Sequence, residues 1–75
     1  MHIYYDELRN KYDITKTKQA NINKKLIEVE KRLETNGLNF ETFEEIKKLY
    51  KDLAQTNEEL ILISRELMEE VEKIR

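Results

Sequence analysis

Seventy-five residues, 40% of them charged and 39% hydrophobic with a formal net charge of -2, allow one small domain and no second core. Without cysteine there is no disulfide framework and no thiolate metal site, and no apolar run is long enough to suggest a membrane span. The chain also lacks proline, and its apolar residues recur at regular intervals, which points to long amphipathic helices or a coiled coil rather than disorder.

The first residues, Met1-His2-Ile3-Tyr4-Tyr5-Asp6, lack the basic and apolar regions of a signal peptide, so the expected compartment is the cytoplasm. A first helix is predicted over about residues 3–36. Its apolar track advances by alternating steps of three and four through Tyr5, Leu8, Tyr12, Thr15, Gln19, Ile22, Leu26, Val29 and Leu33, the spacing of a packed helical seam. Asp13-Ile14-Thr15 is the weak point. Ile14, Thr15 and Thr17 are β-branched and Asp13 is a good N-cap, so a break there gives a three-helix variant.

Leu33 to Asn39 carries the only glycine. Asn36 fits a helix C-cap, Gly37 the following left-handed residue, and Leu38 a Schellman contact back onto Leu33. Asn39 is a good N-cap for a second helix, with Leu38 and Phe43 at the spacing of a hydrophobic staple. Glu41, Glu44 and Glu45 then place negative charge where the helix dipole favours it. Residues 36–39 are therefore the expected chain reversal, with Gly37, Leu38 and Asn39 forming the turn.

The second helix is predicted over about residues 39–75, with a seam of Phe43, Ile46, Tyr50, Leu53, Asn57, Leu60, Ser64, Leu67, Val71 and Ile74. Folded at Gly37, the two tracks face each other: Leu33 with Phe43, Val29 with Ile46, Leu26 with Tyr50, Ile22 with Leu53. Beyond an all-polar layer of Gln19 and Asn57, the ladder continues with Thr15 and Leu60, Tyr12 and Ser64, Leu8 and Leu67, Tyr5 and Val71. The Gln19–Asn57 layer is expected to set the register, because a slip would bury an amide against leucine at about 1–3 kcal/mol. The fold class is all-α, an antiparallel two-helix hairpin of coiled-coil type with helices roughly 45–55 Å long.

The second helix carries more apolar surface than one seam uses. Leu49 and Ile63 flank the seam on one side, Ala54, Ile61 and Met68 on the other, and Leu62 lies outside both. These six residues are the candidate partner or oligomer interface. Two helices rarely bury enough apolar area to offset chain entropy, and this chain has no disulfide to help. Dimerisation into a four-helix bundle is the economical remedy, and docking on a larger protein is the other.

Charge is divided unevenly. Residues 1–39 carry eight Lys or Arg against six Asp or Glu, and residues 40–75 carry six against ten. Lys16, Lys18, Lys24 and Lys25 form a basic strip on the first helix and are candidate phosphate contacts. Such a strip would suit a nucleic-acid-binding bundle like the plasmid regulator ROP, itself a dimerising hairpin. A sequence pI of about 5.5 and the lack of aromatics among the central lysines argue against nucleic acid.

Catalytic chemistry is not indicated. The only histidine is His2, and there is no glycine-rich phosphate loop, no metal-spaced His or Cys set and no nucleophile–base grouping. No cofactor and no metal are expected. The second helix reads Lys48-Leu49-Tyr50-Lys51-Asp52-Leu53 where small helical-hairpin phosphatases of sporulation carry Ser-Gln-Glu-Leu-Asp, so length and a glycine turn are all that is shared. The expected function is a small non-catalytic binding or regulatory protein, acting through a helical surface on a larger protein or through self-assembly. Its Lys-, Asn-, Ile- and Glu-rich, proline-free usage suggests an AT-rich genome such as that of a low-GC bacterium or its phage, and a phage or mobile element is the expected source.

Overall fold

The computed structural model describes residues 3–74. Met1, His2 and Arg75 lie outside the described residues, as do the side chains of Ile3 and of the seam candidate Ile74. Two helices, α1 (Ile3–Asn36) and α2 (Phe40–Ile74), are joined by residues 37–39 and pack against each other. All regular structure among the described residues is helical. The molecule measures 55 × 14 × 14 Å, and a 34-residue helix is itself about 51 Å long. The chain therefore doubles back on itself as a two-helix hairpin.

Helix α1 runs without a break through Asp13-Ile14-Thr15, and the three-helix variant does not form. The hydroxyls that compete with helix geometry are absorbed by it. Thr15 Oγ1 donates to the Lys11 carbonyl at 2.8 Å and Thr17 Oγ1 to the Asp13 carbonyl at 3.0 Å.

The reversal differs in detail from the expected Schellman cap. Gly37 has φ +80° and its N–H donates to the Leu33 carbonyl at 2.9 Å, the single bond of the simpler αL motif. Leu38 is 85% exposed and does not cover Leu33. Asn39 caps α2, its Oδ1 accepting the Glu41 N–H at 2.8 Å while its carbonyl accepts the Phe43 N–H at 3.0 Å. Leu38, Phe40 and Phe43 line one shallow apolar hollow at this end.

The buried core is Leu8, Ile22, Leu26 and Val29 of α1 with Leu49 and Leu60 of α2; Ile46 and Leu53 pack partly buried against it. Helix α2 is thus rotated from its expected seam. The track shares Ile46, Leu53, Leu60 and Leu67 with the expectation but fills two alternate layers with Leu49 and Thr56 instead of Tyr50 and Asn57, while Ile63 and the expected Ser64 are both half-buried. Tyr50 is 52% exposed, and Phe43 and Val71 also stand outside the seam, so the layers expected to pair them with Leu26, Leu33 and Tyr5 are not core layers.

The physical reason lies in the two side-chain sets. Leu49 buries a wholly apolar side chain, whereas Tyr50 in its place would have to find a buried partner for its hydroxyl. Thr56, the one buried polar residue of α2, bonds its hydroxyl to the Asp52 carbonyl at 2.8 Å and leaves no orphaned group. A buried Asn57 would have had two amide hydrogens to satisfy.

Candidate protein interface

Two grooves flank the seam, and their chemistry differs. The first is lined by Ile14, Lys18, Lys25, Leu49 and Asp52, and further along by Lys11, Thr15, Glu59, Leu62 and Ile63. Heptad spacing explains its charge. Lys11, Lys18, Lys25 and Arg32 are seven residues apart on α1, as are Glu45, Asp52, Glu59 and Glu66 on α2. In an antiparallel pair these rows run opposite each other, cation against anion, at every step. At the turn end, Arg32 Nη2 lies 3.2 Å from Glu45 Oε1. At the far end, the Tyr4 hydroxyl donates to Glu66 Oε2 at 3.2 Å, and this bond to a carboxylate holds the phenol above its ordinary pKa. Both partners of the Arg32–Glu45 pair are about half exposed, so such pairs contribute little stability each. Their effect is to give this groove a matched, hydrated surface.

The second groove lies between Tyr12 and Lys16 of α1 and Leu60, Ile61, Ser64, Arg65 and Met68 of α2. Towards the termini it continues past Tyr5, Arg9, Leu67, Val71 and Glu72. The α2 positions at seven-residue spacing here are Tyr50, Asn57, Ser64 and Val71, all uncharged. Hydrogen bonds cross it in place of ion pairs. Gln19 Nε2 donates to Asn57 Oδ1 at 2.8 Å, and within α1 Lys16 Nζ donates to Oε1 of the same Gln19 at 3.2 Å. The Tyr50 hydroxyl donates to Glu30 Oε1 at 3.2 Å, which raises the Tyr50 pKa.

On the outer rim of this second groove lie Ala54, Ile61 and Met68, again seven residues apart and therefore in one stripe along α2. Ile61 is 58% and Met68 66% exposed, and Ala54 is exposed as well. Ala54, Ile61 and Met68 are thus exposed aliphatic side chains in register on one face of α2, beside the uncharged row of Tyr50, Asn57, Ser64 and Val71.

The six residues expected to form one interface therefore separate into three groups. Leu49 is only 9% exposed and belongs to the hairpin's own core, because the rotation of α2 turns it inward. Ile63 is half-buried, and with the exposed Leu62 it lines the charged first groove. Ala54, Ile61 and Met68 remain together on the second. The basic strip divides likewise. Lys18 and Lys25 line the first groove opposite acids, Lys16 lines the second, and Lys24 lines neither. The four lysines do not converge on one phosphate-sized site. The Gln19–Asn57 pair is hydrogen-bonded, but Asn57 is exposed and Gln19 half-buried, so the amides bridge the seam's rim rather than forming a buried layer.

The opposed heptad rows of Lys11-to-Arg32 and Glu45-to-Glu66 were a signal present in the sequence. Stepping by seven from any member finds them, and they mark which groove carries opposite charges on its two sides. Among the described residues no group of three His, Asp or Glu side chains is arranged to hold a metal ion, and no helix is long and apolar enough to cross a membrane. The chain matches no family model, and comparison with curated proteins and with solved structures returns no match.

Proposed function

We propose that this hairpin is a non-catalytic binding or regulatory protein whose working surface is the outer face of α2, docking on a larger protein or on another copy to complete a four-helix bundle. One observation carries the reading: Ala54, Ile61 and Met68 form an exposed apolar stripe on a molecule whose core contains only a few fully buried aliphatic residues. Two packed helices of this size are marginal alone, and covering that stripe adds burial at the edge of the existing core. The α2 row between the stripe and the seam, Tyr50, Asn57, Ser64 and Val71, is uncharged, so covering that side of the stripe desolvates no ion of α2. The chain then acts by occupying a surface rather than by chemistry on a substrate.

The test is capture of a binding partner, or of a differently tagged second copy, by the intact chain and by two single variants. Ile61→Asp and Met68→Asp abolish capture on this reading, whereas Leu62→Asp, on the other groove, retains it. Equal loss in all three removes the assignment of the face.

A further inference from the structure

We infer that the occupant of this face is a second copy of the chain, with α2 lying antiparallel on α2 of its twin about a twofold axis through Ile61. The inference rests on the proposed docking role of the Ala54–Ile61–Met68 stripe and adds its partner and register. The decisive feature is a row of charges on the solvent side of that stripe. Lys51, Glu58, Arg65 and Glu72 are seven residues apart, all are exposed, and none belongs to an ion pair among the described residues.

Read in reverse, that row is its own complement. With Ile61 at the centre, Lys51 faces Glu72 of the second copy and Glu58 faces Arg65 of the second copy. The twofold repeats both, giving opposite charges at every step. A parallel twofold pair instead sets this row against the uncharged Tyr50, Asn57, Ser64 and Val71 of the second copy and leaves all four charges without partners. Sliding the antiparallel pair by one heptad sets Glu58 against Glu58 with Lys51 against Arg65, or Arg65 against Arg65 with Glu58 against Glu72. Only one register satisfies the row, and charge complementarity of this kind selects partner and orientation.

The apolar stripe fits the same register independently. Ile61 meets Ile61 at the axis, and Met68, the largest member, lies over Ala54, the smallest. Large-over-small pairing is how facing helix layers interdigitate without voids. On the inner side of the stripe the uncharged Tyr50, Asn57, Ser64 and Val71 are enclosed between the two hairpins, and no like charges of α2 are brought together there. A partner of unrelated sequence places no such requirement on the order Lys, Glu, Arg, Glu.

The natural chain has no cysteine, so introduced thiols report the geometry. Ile61→Cys places two thiols at the axis, and mild oxidation links the dimer rapidly. In the Ala54→Cys chain the thiols lie about 21 Å apart along the helices and do not link within one dimer. In sedimentation equilibrium, Glu58→Arg or Arg65→Glu alone weakens self-association by about tenfold or more, and the double charge exchange restores it. These residues are exposed, so circular dichroism of each variant reads an intact hairpin.

Three outcomes overturn the inference: a double exchange as weak as the singles, linkage of Ala54→Cys as fast as that of Ile61→Cys, or a wild-type chain still monomeric at about 1 mM. A monomer that nonetheless captures another protein, and loses it in Ile61→Asp, overturns the twofold while leaving the docking role standing.

Discussion

Gln19 Nε2 donates to Asn57 Oδ1 at 2.8 Å, yet Asn57 is exposed, so the one amide–amide bond between the helices sits in reach of water. An edge bond of this kind orients two side chains without imposing the penalty of a buried orphan. The coupling energy from a double-mutant cycle with Gln19→Ala and Asn57→Ala is expected at about 0.5–1.5 kcal/mol. A value above about 3 kcal/mol would mean that the pair is enclosed, as a buried polar layer requires.

The rotation of α2 makes a sharper prediction, because neighbouring residues exchange roles. Leu49 is 9% exposed and Tyr50 is 52% exposed. Chemical denaturation should show Leu49→Ala losing about 2–5 kcal/mol, the range for deleting a buried aliphatic side chain. Tyr50→Ala should cost about 1 kcal/mol or less, chiefly its bond to Glu30. The reverse order would restore the seam that runs through Tyr50.

Gly37 is required for its backbone and not for space. A Cβ there meets nothing within 4 Å, but φ is +80°. Gly37→Ala is expected to cost about 1–2 kcal/mol through the left-handed conformation alone. Gly37→Asn should cost less, because asparagine tolerates that region better. Equal losses for the two would show that something other than backbone conformation is at stake.

The hairpin should weaken in alkali. Tyr4 and Tyr50 have pKa values raised above 10.0, each chiefly because the protonated hydroxyl donates to a carboxylate, Glu66 and Glu30 respectively. A group whose pKa is raised on folding stabilises the fold below its unfolded pKa and loses that contribution as pH rises through the folded one. Melting temperatures from about pH 8 to about pH 11 should fall less in the Tyr4→Phe/Tyr50→Phe double variant than in the wild type. Both groups are exposed, so the difference is modest. Lys73, held charged chiefly by its hydrogen bond to Glu70, is common to both chains, and only its small coupling to Tyr4 differs between them.

Much of the architecture could be read from local chemistry. A lone glycine between a helix stop and an asparagine start, with regular apolar steps on either side, left little choice but reversal at residue 37. The face of α2 was harder to read. Ile46, Leu53, Leu60 and Leu67 belong equally to a track through Leu49, Thr56 and Ile63 and to one through Tyr50, Asn57 and Ser64. Matching Asn57 to Gln19 favoured the second, although a threonine satisfied by its own helix is the cheaper buried residue. That one-step ambiguity moved Leu49 from surface to core. It also hid the contrast between the grooves, which depends on which α2 positions stand at the seam's edge.

Sedimentation equilibrium on the intact chain, Ile61→Asp and Leu62→Asp, run side by side, tests most directly which face of α2 binds. The wild type and Leu62→Asp are expected at twice the 9.1 kDa chain mass and Ile61→Asp at 9.1 kDa. Dissociation by Leu62→Asp with Ile61→Asp still associated would place the binding face on the opposite groove and contradict the account.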